Sequence, residues 1–342
     1  MENKDITIVY PPAIDYKFMY QRPHQMMKAF AQIGCNVVFI NPANIYRQDV
    51  AIETPFKHLP NFRVVRRGVD PAAFGLLKGK VVLWCAVNQA DYIRRHKHDL
   101  AVFDSCDLAS DEFSVWKPVV PVMESLTQIT FATAQAIYDE HKSRGVNVYL
   151  LPNGADYEHF KGATNRLLPL PPEIPPKWAG GKIVGYYGAL AGWLDVGLVY
   201  EIAKKYRVVM VGSNQLFNRK ISHPNVIVVP MKPYVELPRY LSWFDVAIIP
   251  FKLTNLIHAT DPVKFYEYIS AGKPVAASEM NELKRHGEHV YFMDRYNCRE
   301  VIERAIAENN EEKITARKRH AFRNSWISRA EEAIEIIKFH LK

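Results

Sequence analysis

A strand and helix alternation begins at Ile6, stops in a run of prolines and starts afresh at Ile183, and few folds accommodate such a pattern. Ile6-Thr-Ile-Val-Tyr10 is β-branched and flanked by polar residues, as a buried strand is. Pro11 and Pro12 end it. A helix is expected from Arg22 to Ile33, with Met26, Met27, Phe30 and Ile33 on one face and Gly34 just past its end. Val37-Val-Phe-Ile40 is the next strand, so the three elements form a βαβ unit and imply a parallel sheet. Apolar runs at Val81 to Cys85, Leu100 to Phe103, Ile129 to Ala132 and Val148 to Leu151 continue the alternation.

Leu168 to Lys177 holds five prolines and forms neither a helix nor a central strand, so residues 166–180 read as an interdomain linker. The pattern then restarts with strands at Ile183 to Tyr187, Val208 to Val211, Val226 to Val229, Val246 to Pro250 and Pro274 to Ala277. Helices are expected near Asp195 to Tyr206 and from about Pro262. A chain of 342 residues is too long for one ordinary core. The expected fold class is α/β, with two Rossmann-like doubly wound domains, 1–165 and 181–323. Their cleft lies at the strands' carboxyl ends, where ligands of such sheets bind. A last helix within 324–342 presents Trp326, Ala330, Ala333, Ile334, Ile337 and Leu341 on one face and needs an apolar partner.

Composition excludes several classes. Hydrophobic residues make up 48% and charged residues 23%, a globular balance. Met1 to Asp5 carries no basic-then-apolar signal, and the longest apolar run, Val81 to Val87, is too short to span a bilayer, so a cytoplasmic protein is expected. The four cysteines have no CxxC spacing, which argues against zinc and suits a reducing compartment. No D-x-D pair and no acidic cluster has the spacing of a magnesium or manganese site, so no metal is expected. Tyr10-Pro-Pro-Ala lacks the glycines of a nicotinamide-binding turn. The net charge of +8 attracts polyanions, yet no nucleic-acid motif accompanies it, so no nucleic-acid partner is expected.

The most informative stretch runs from Phe244 to Val275. It reads as a buried strand, a polar loop to Thr260, and a helix with Asp261 as N-cap and Pro262 in its first turn. The free amides of that turn, from Thr260 to Val263, make an anion site, and Lys264 adds a full positive charge. Glu267, at i+3 from Lys264, can accept hydrogen bonds from two adjacent hydroxyls, as on a ribose. Diphosphate at the helix end and ribose a turn along fit a nucleotide sugar; the plainer alternative is a solvated helical ion pair.

Asp261-Pro-Val-Lys-Phe-Tyr-Glu-Tyr-Ile-Ser-Ala-Gly-Lys-Pro-Val275 also resembles the donor-binding motif of GT-B-fold glycosyltransferases of the retaining family 4 type, P-x-K-x-x-E-x-x-x-x-G-x-P-V. Leu151-Pro-Asn-Gly-Ala-Asp156 is similar to that family's P-N-G-V-D, and Gly185 to Asp195 to the first loop of its C-terminal domain, which places Gly188 at the donor. Ser325-Trp326 resembles the start of the family's helix that crosses back to the first domain. Arg22-Pro-His-Gln25 with Phe103-Asp-Ser-Cys-Asp107 is most similar to the branch that makes bacterial cell-wall and exopolysaccharides, teichuronic acid included. The resemblance implies sugar transfer from a nucleotide-diphosphate donor to a glycan or lipid-linked acceptor, with retention. Two positions depart from it. Ala259 stands where the first of two glutamates is usual, and Ala189 and Leu190 replace the usual arginine and lysine, which leaves phosphate charge to Lys264 and Lys252. A sugar-nucleotide epimerase of the same fold, or an inactive donor-binding homologue, stays open.

In the first domain, Tyr16, Arg22 and His24 lie in or beside the loop after the first strand, where they meet the acceptor or Arg22 and His24 meet the donor phosphate; otherwise Arg22 only caps structure and His24 is a satisfied surface histidine. Asp104 and Asp107 follow a strand at its carboxyl end and either bind or deprotonate an acceptor hydroxyl or are plain turn residues. The basic stretch Arg63 to Arg67, Phe74 to Lys80 and Arg94 to Lys97 either rests on an anionic membrane surface, beside a lipid-linked acceptor, or is a solvated charged face.

Overall fold

The computed structural model describes residues 1–42, 49–213 and 221–342 and divides into two compact units, 1–153 with 326–342, and 154–325. Strands of the first unit are β1 (Ile6–Tyr10), β2 (Asn36–Ile40), β3 (Ile52–Glu53), β4 (Phe62–Val65), β5 (Lys80–Cys85), β6 (Leu100–Ser105), β7 (Ile129–Ala132) and β8 (Val148–Leu150). They form one sheet in the order β3-β4-β2-β1-β5-β6-β7-β8, parallel except for the β3–β4 edge pair. Every residue of β1 is buried, which is why its sequence is mostly apolar and β-branched rather than alternating; Thr7 satisfies its hydroxyl on the Lys78 carbonyl. The order reverses between β1 and β5, and that reversal opens a crevice at the carboxyl ends of the strands.

Arg22–Gln32 is helical and buries Met26, Met27, Phe30 and Ala31. It stops at Ile33, and Gly34 takes φ +98°, the left-handed conformation that ends helices. Trp326–His340 packs on it with Trp326, Ala330, Ala333, Ile334 and Ile337 inward, so the last helix belongs to the first unit, as its apolar stripe requires. Leu341 is only half-buried. In the Arg63–Arg67 stretch Val64 and Val65 are buried in β4, while Arg63 and Arg66 are half-buried and Arg67 is exposed.

The second unit holds β9 (Ile183–Tyr187), β10 (Arg207–Val211), β11 (Val226–Val229), β12 (Val246–Ile249), β13 (Val275–Ala277) and β14 (Val290–Phe292), wholly parallel and ordered β11-β10-β9-β12-β13-β14. This is the 3-2-1-4-5-6 order of a doubly wound sheet, with its switch point between β9 and β12. The boundary lies earlier than residue 165, because Ala155, Phe160 and Ala163 join the second unit's core. Nor is 166–180 a free linker. Ile174 and Trp178 are buried in that core, Arg239 Nη2 donates to the Leu170 carbonyl (2.6 Å), Trp243 Nε1 to the Leu168 carbonyl (2.9 Å), and Tyr240 Oη to Glu173 (2.6 Å). The prolines hold a strap of turns that ends in a short 3-10 helix, Pro176–Trp178, and leave carbonyls that suit such donors. Among the described residues no helix is long and apolar enough to cross a membrane.

Ile337 is fully buried on the inward face of the last helix. Ile337→Ala is expected to cost about 2–5 kcal/mol in denaturant unfolding, as large-to-small core changes do. An unchanged midpoint would show that the helix does not stabilise the first unit.

Candidate functional site

In the second unit, the loops after β9 and β12 flank the switch point. The chain leaves β9 through Gly188, at φ +139°, where a Cβ would fall 1.9 Å from Lys264 Cε. Gly212, after β10, leaves no room either: a Cβ there would lie 1.8 Å from the Gly188 carbonyl oxygen. Only glycine allows these two turns to nest against each other and beneath the lysine.

Lys264 comes from the first turn of helix Val263–Ser270, whose cap is Pro262. With no intrahelical acceptor available to them, the Val263 and Lys264 amides are left for a ligand. The Lys264 ammonium lies over the Tyr186 ring (5.7 Å) and the Phe251 ring (6.0 Å), and among the described residues it forms no ion pair or hydrogen bond. Burial pushes its pKa down, partly offset by the Glu267 charge. Glu267 is buried on the same helix, and burial pushes its carboxyl up, opposed by Lys264. Its carboxylate lies beside the Tyr187 hydroxyl without closing a hydrogen bond of ordinary geometry, and that hydroxyl is buried without a hydrogen-bond partner among the described residues. A half-buried cation beside a buried carboxylate and phenol, with unfilled hydrogen-bonding capacity among the described residues, marks a place prepared for a polar ligand.

The first unit concentrates charge at the carboxyl end of β6. Asp104 accepts from Arg22 Nε (2.9 and 3.0 Å), Arg22 Nη2 (2.8 Å) and Trp84 Nε1 (2.9 Å). Arg22 Nη1 also donates to Asn153 Oδ1 (3.1 Å) and the Pro152 carbonyl (3.2 Å), and the guanidinium lies 5.9 Å from the Trp326 ring centre. Asp107 differs. Its carboxylate forms no ion pair or hydrogen bond among the described residues, and burial, reinforced by the Asp104 charge and opposed by Arg22, pushes its pKa up to about 6.

No family model matches the chain. Over 141 residues it is 27% identical to TuaH of Bacillus subtilis strain 168, named a teichuronic acid biosynthesis glycosyltransferase. That match takes in 39% of this chain and 34% of TuaH, so the chain spans about a third of the curated relative's length. Among solved structures it is similar to sucrose-phosphate synthase of Thermosynechococcus elongatus, with TM-score 0.68 and 15% identity over 97% of this chain and 98% of that one. Trehalose-6-phosphate synthase OtsA gives TM-score 0.71 and 11% identity over 97% and 98%. HepE of Anabaena, solved with UDP and glucose, gives 0.62 and 12% over 97% and 99%.

The fold is GT-B.

Of the residues singled out in the GT-B chain's second unit, the structure brings Gly188, Val263, Lys264 and Glu267 together. Three others are engaged elsewhere. Asp261 is not the helix cap: it pairs with Arg285 (2.9 Å) and accepts from Tyr266 Oη (3.1 Å). Thr260 gives its amide to the Ile257 carbonyl (3.2 Å) and its hydroxyl to the Leu256 carbonyl (2.7 Å). Lys252 is exposed and donates to the Gly192 carbonyl (2.6 Å).

In the first unit Arg22 is buried and committed to Asp104, which leaves Asp104 no free lone pair for an acceptor proton. His24 is a cap rather than a surface group: Nδ1 accepts from the Gln21 amide (3.1 Å), so Nε2 carries the proton toward the Asp15 carbonyl (3.3 Å). Its ring stacks on Phe39 at 5.3 Å, and burial lowers its pKa to about 4. Tyr16 packs against Phe39 (5.3 Å) and Phe62 (5.7 Å), and burial raises its hydroxyl.

Sequence reasoning missed the aromatic bed of Tyr186, Tyr187 and Phe251, and His258, whose Nδ1 is buried without a partner among the described residues, one residue before Ala259. The Gly185-Tyr-Tyr-Gly188 run was the available signal for the first two; nothing local marks the others.

Asp107 in the folded chain prefers its protonated form, so its charge destabilises above pH 6 and does not below the ordinary carboxylate range near 3.8. Asp107→Asn is therefore expected to stabilise the protein at pH 8 by roughly 1–2 kcal/mol, discounted for partial exposure, with the gain gone at pH 4. Melting curves at both pH values check this. A gain that is equal at both would contradict it.

Proposed function

We propose that this chain is a glycosyltransferase that moves a hexose-type sugar from a nucleotide-diphosphate donor to a bacterial glycan or lipid-linked acceptor. The observation that carries the reading is a half-buried Lys264 and a buried Glu267, neither with a hydrogen bond of ordinary geometry among the described residues, at the head of one helix and over a glycine turn at the second sheet's switch point. The likeness to TuaH and to HepE, which was solved with UDP and glucose, supports the substrate class.

In this reading the diphosphate lies against the Val263 and Lys264 amides and the Lys264 ammonium, with the Gly188 turn as its floor. Glu267 accepts from the two ribose hydroxyls, which also gives the Tyr187 phenol a polar neighbour. When the bond from the anomeric carbon to the diphosphate oxygen breaks, the electron pair goes to that oxygen. The helix amides and Lys264 stabilise the charge that develops there, and they do so already oriented, without water to reorganise. We propose that no metal takes part, since these groups supply the positive charge. Asp107, a first-unit carboxylate with no ion pair or hydrogen bond among the described residues, is the group that holds the acceptor hydroxyl or takes its proton. The resemblance of 261–275 to retaining enzymes supports retention of anomeric configuration.

Glu267→Ala removes two charge-assisted hydrogen bonds and is expected to weaken binding of a nucleotide-diphosphate sugar about tenfold or more. The measurement is calorimetry in buffer containing EDTA, in which the wild-type chain keeps its affinity. Donor affinity unchanged by the substitution, or abolished by EDTA, would overturn the corresponding part of this reading.

A further inference from the structure

The helix that carries Lys264 in its first turn runs back to the amino ends of the strands, and Lys273, just past it, lines a separate cavity. Gly180, Gly181 and Lys182 lead into β9, Ser242, Phe244 and Asp245 into β12, and Lys273 into β13, so this cavity of about 530 Å³ lies at the amino ends of the strands. All of its lining residues fall within the second unit. The size is that of a small-molecule site, well beyond what one ordered water fills.

Lys273 is its distinctive group. The side chain is 5% exposed and donates once, to the Ser242 carbonyl at 3.0 Å, which leaves two N–H donors of a buried ammonium without an acceptor among the described residues. The nearby carboxylate does not serve it. Asp245 is held by Arg166 Nη2 (2.7 Å), Lys182 Nζ (3.1 Å) and the Ile183 amide (2.9 Å). Asn309 Oδ1 accepts from Arg317, so the Asn309 amide nitrogen also has hydrogens to give. One anion thus faces Arg166, Lys182 and Lys273, with Arg317 and Lys318 close enough to add repulsion. Excess positive charge, unused donors and a wall from the Phe244 side chain describe a receptor for an oxyanion.

We propose that this cavity binds a phosphate group, free or carried by a small phosphorylated metabolite, with the Lys273 ammonium as its principal donor. The site is independent of the donor-sugar site, from which the length of helix Val263–Ser270 separates it. In the empty protein burial lowers Lys273 to about 7, against the attraction of Asp245 and with the repulsion of Arg166, Lys318 and Arg317. A bound anion restores the charged form, so binding takes up protons near neutrality.

Sulfate is the first probe, because its own charge is constant between pH 6 and 8. Calorimetry on the full chain is expected to show sulfate affinity falling about tenfold from pH 6 to pH 8, as the ammonium titrates through about 7. Lys273→Met is expected to lose at least about tenfold in sulfate affinity at pH 6 while binding a nucleoside diphosphate as the wild type does, since Lys273 is remote from Lys264. Affinity that is equal in wild type and variant, or independent of pH, would overturn the proposal. Should Lys273→Met fail to fold, wild-type titrations at pH 7 in two buffers of different ionisation enthalpy decide the question instead. Uptake of about half a proton supports the site, and no uptake refutes it. Comparing inorganic phosphate with a hexose 6-phosphate then distinguishes the sources: equal affinity means the free ion, and tighter binding of the sugar phosphate means a metabolite.

Discussion

One pair of opposite charges, Glu267 buried and Lys264 half-buried, governs what the second unit can bind. Lys264 and Glu267 sit a turn apart on a helix whose inner face, Phe265, Tyr268 and Ile269, belongs to that unit's core. Neither charge is hydrogen-bonded among the described residues, and burial pushes each pKa toward its neutral form. Such an arrangement is costly to the folded chain on its own. It becomes favourable when an anion meets the lysine and hydroxyls meet the carboxylate, because each then gains partners in surroundings where water competes poorly. Function and instability thus share an origin, as they commonly do at binding sites.

Topology puts the pair where it is useful. In a doubly wound sheet ordered β11-β10-β9-β12-β13-β14, only the β9 and β12 loops diverge to opposite faces, and the crevice between them needs no further design. Gly188 and Gly212 let the backbone close around that crevice, and the Tyr186 and Phe251 rings hold the ammonium by their faces while leaving its hydrogens free. The first unit solves a different problem at the same place in its own sheet. There Arg22, Asp104, Trp84 and Asn153 hydrogen-bond to one another, and beside them Asp107 keeps a carboxylate with no hydrogen bond among the described residues.

Much of this was legible in the order of residues. Buried parallel strands such as Ile6–Tyr10 and Ile183–Tyr187 announce themselves as mostly apolar runs, and the stripe from Trp326 to Ile337 foretold a docked helix. The Lys264 and Glu267 spacing fixed two functional groups on one face through helix geometry alone. Partners distant in the chain were the part that stayed hidden. Arg22 finds Asp104 82 positions on, and Asp261 finds Arg285, and no local pattern distinguishes these from free cleft residues. The proline-rich strap misled for a related reason. Proline excludes helix and central strand, but it does not exclude burial, and Ile174 and Trp178 anchor the strap in the core.

The most direct measurement is a crystal structure of the chain with uridine diphosphate bound. A phosphate oxygen is expected within about 3 Å of Lys264 Nζ and of the first-turn amides, with both ribose hydroxyls on the Glu267 carboxylate. A nucleotide lodged elsewhere, with Lys264 still lying bare over Tyr186, would contradict the role given to the pair.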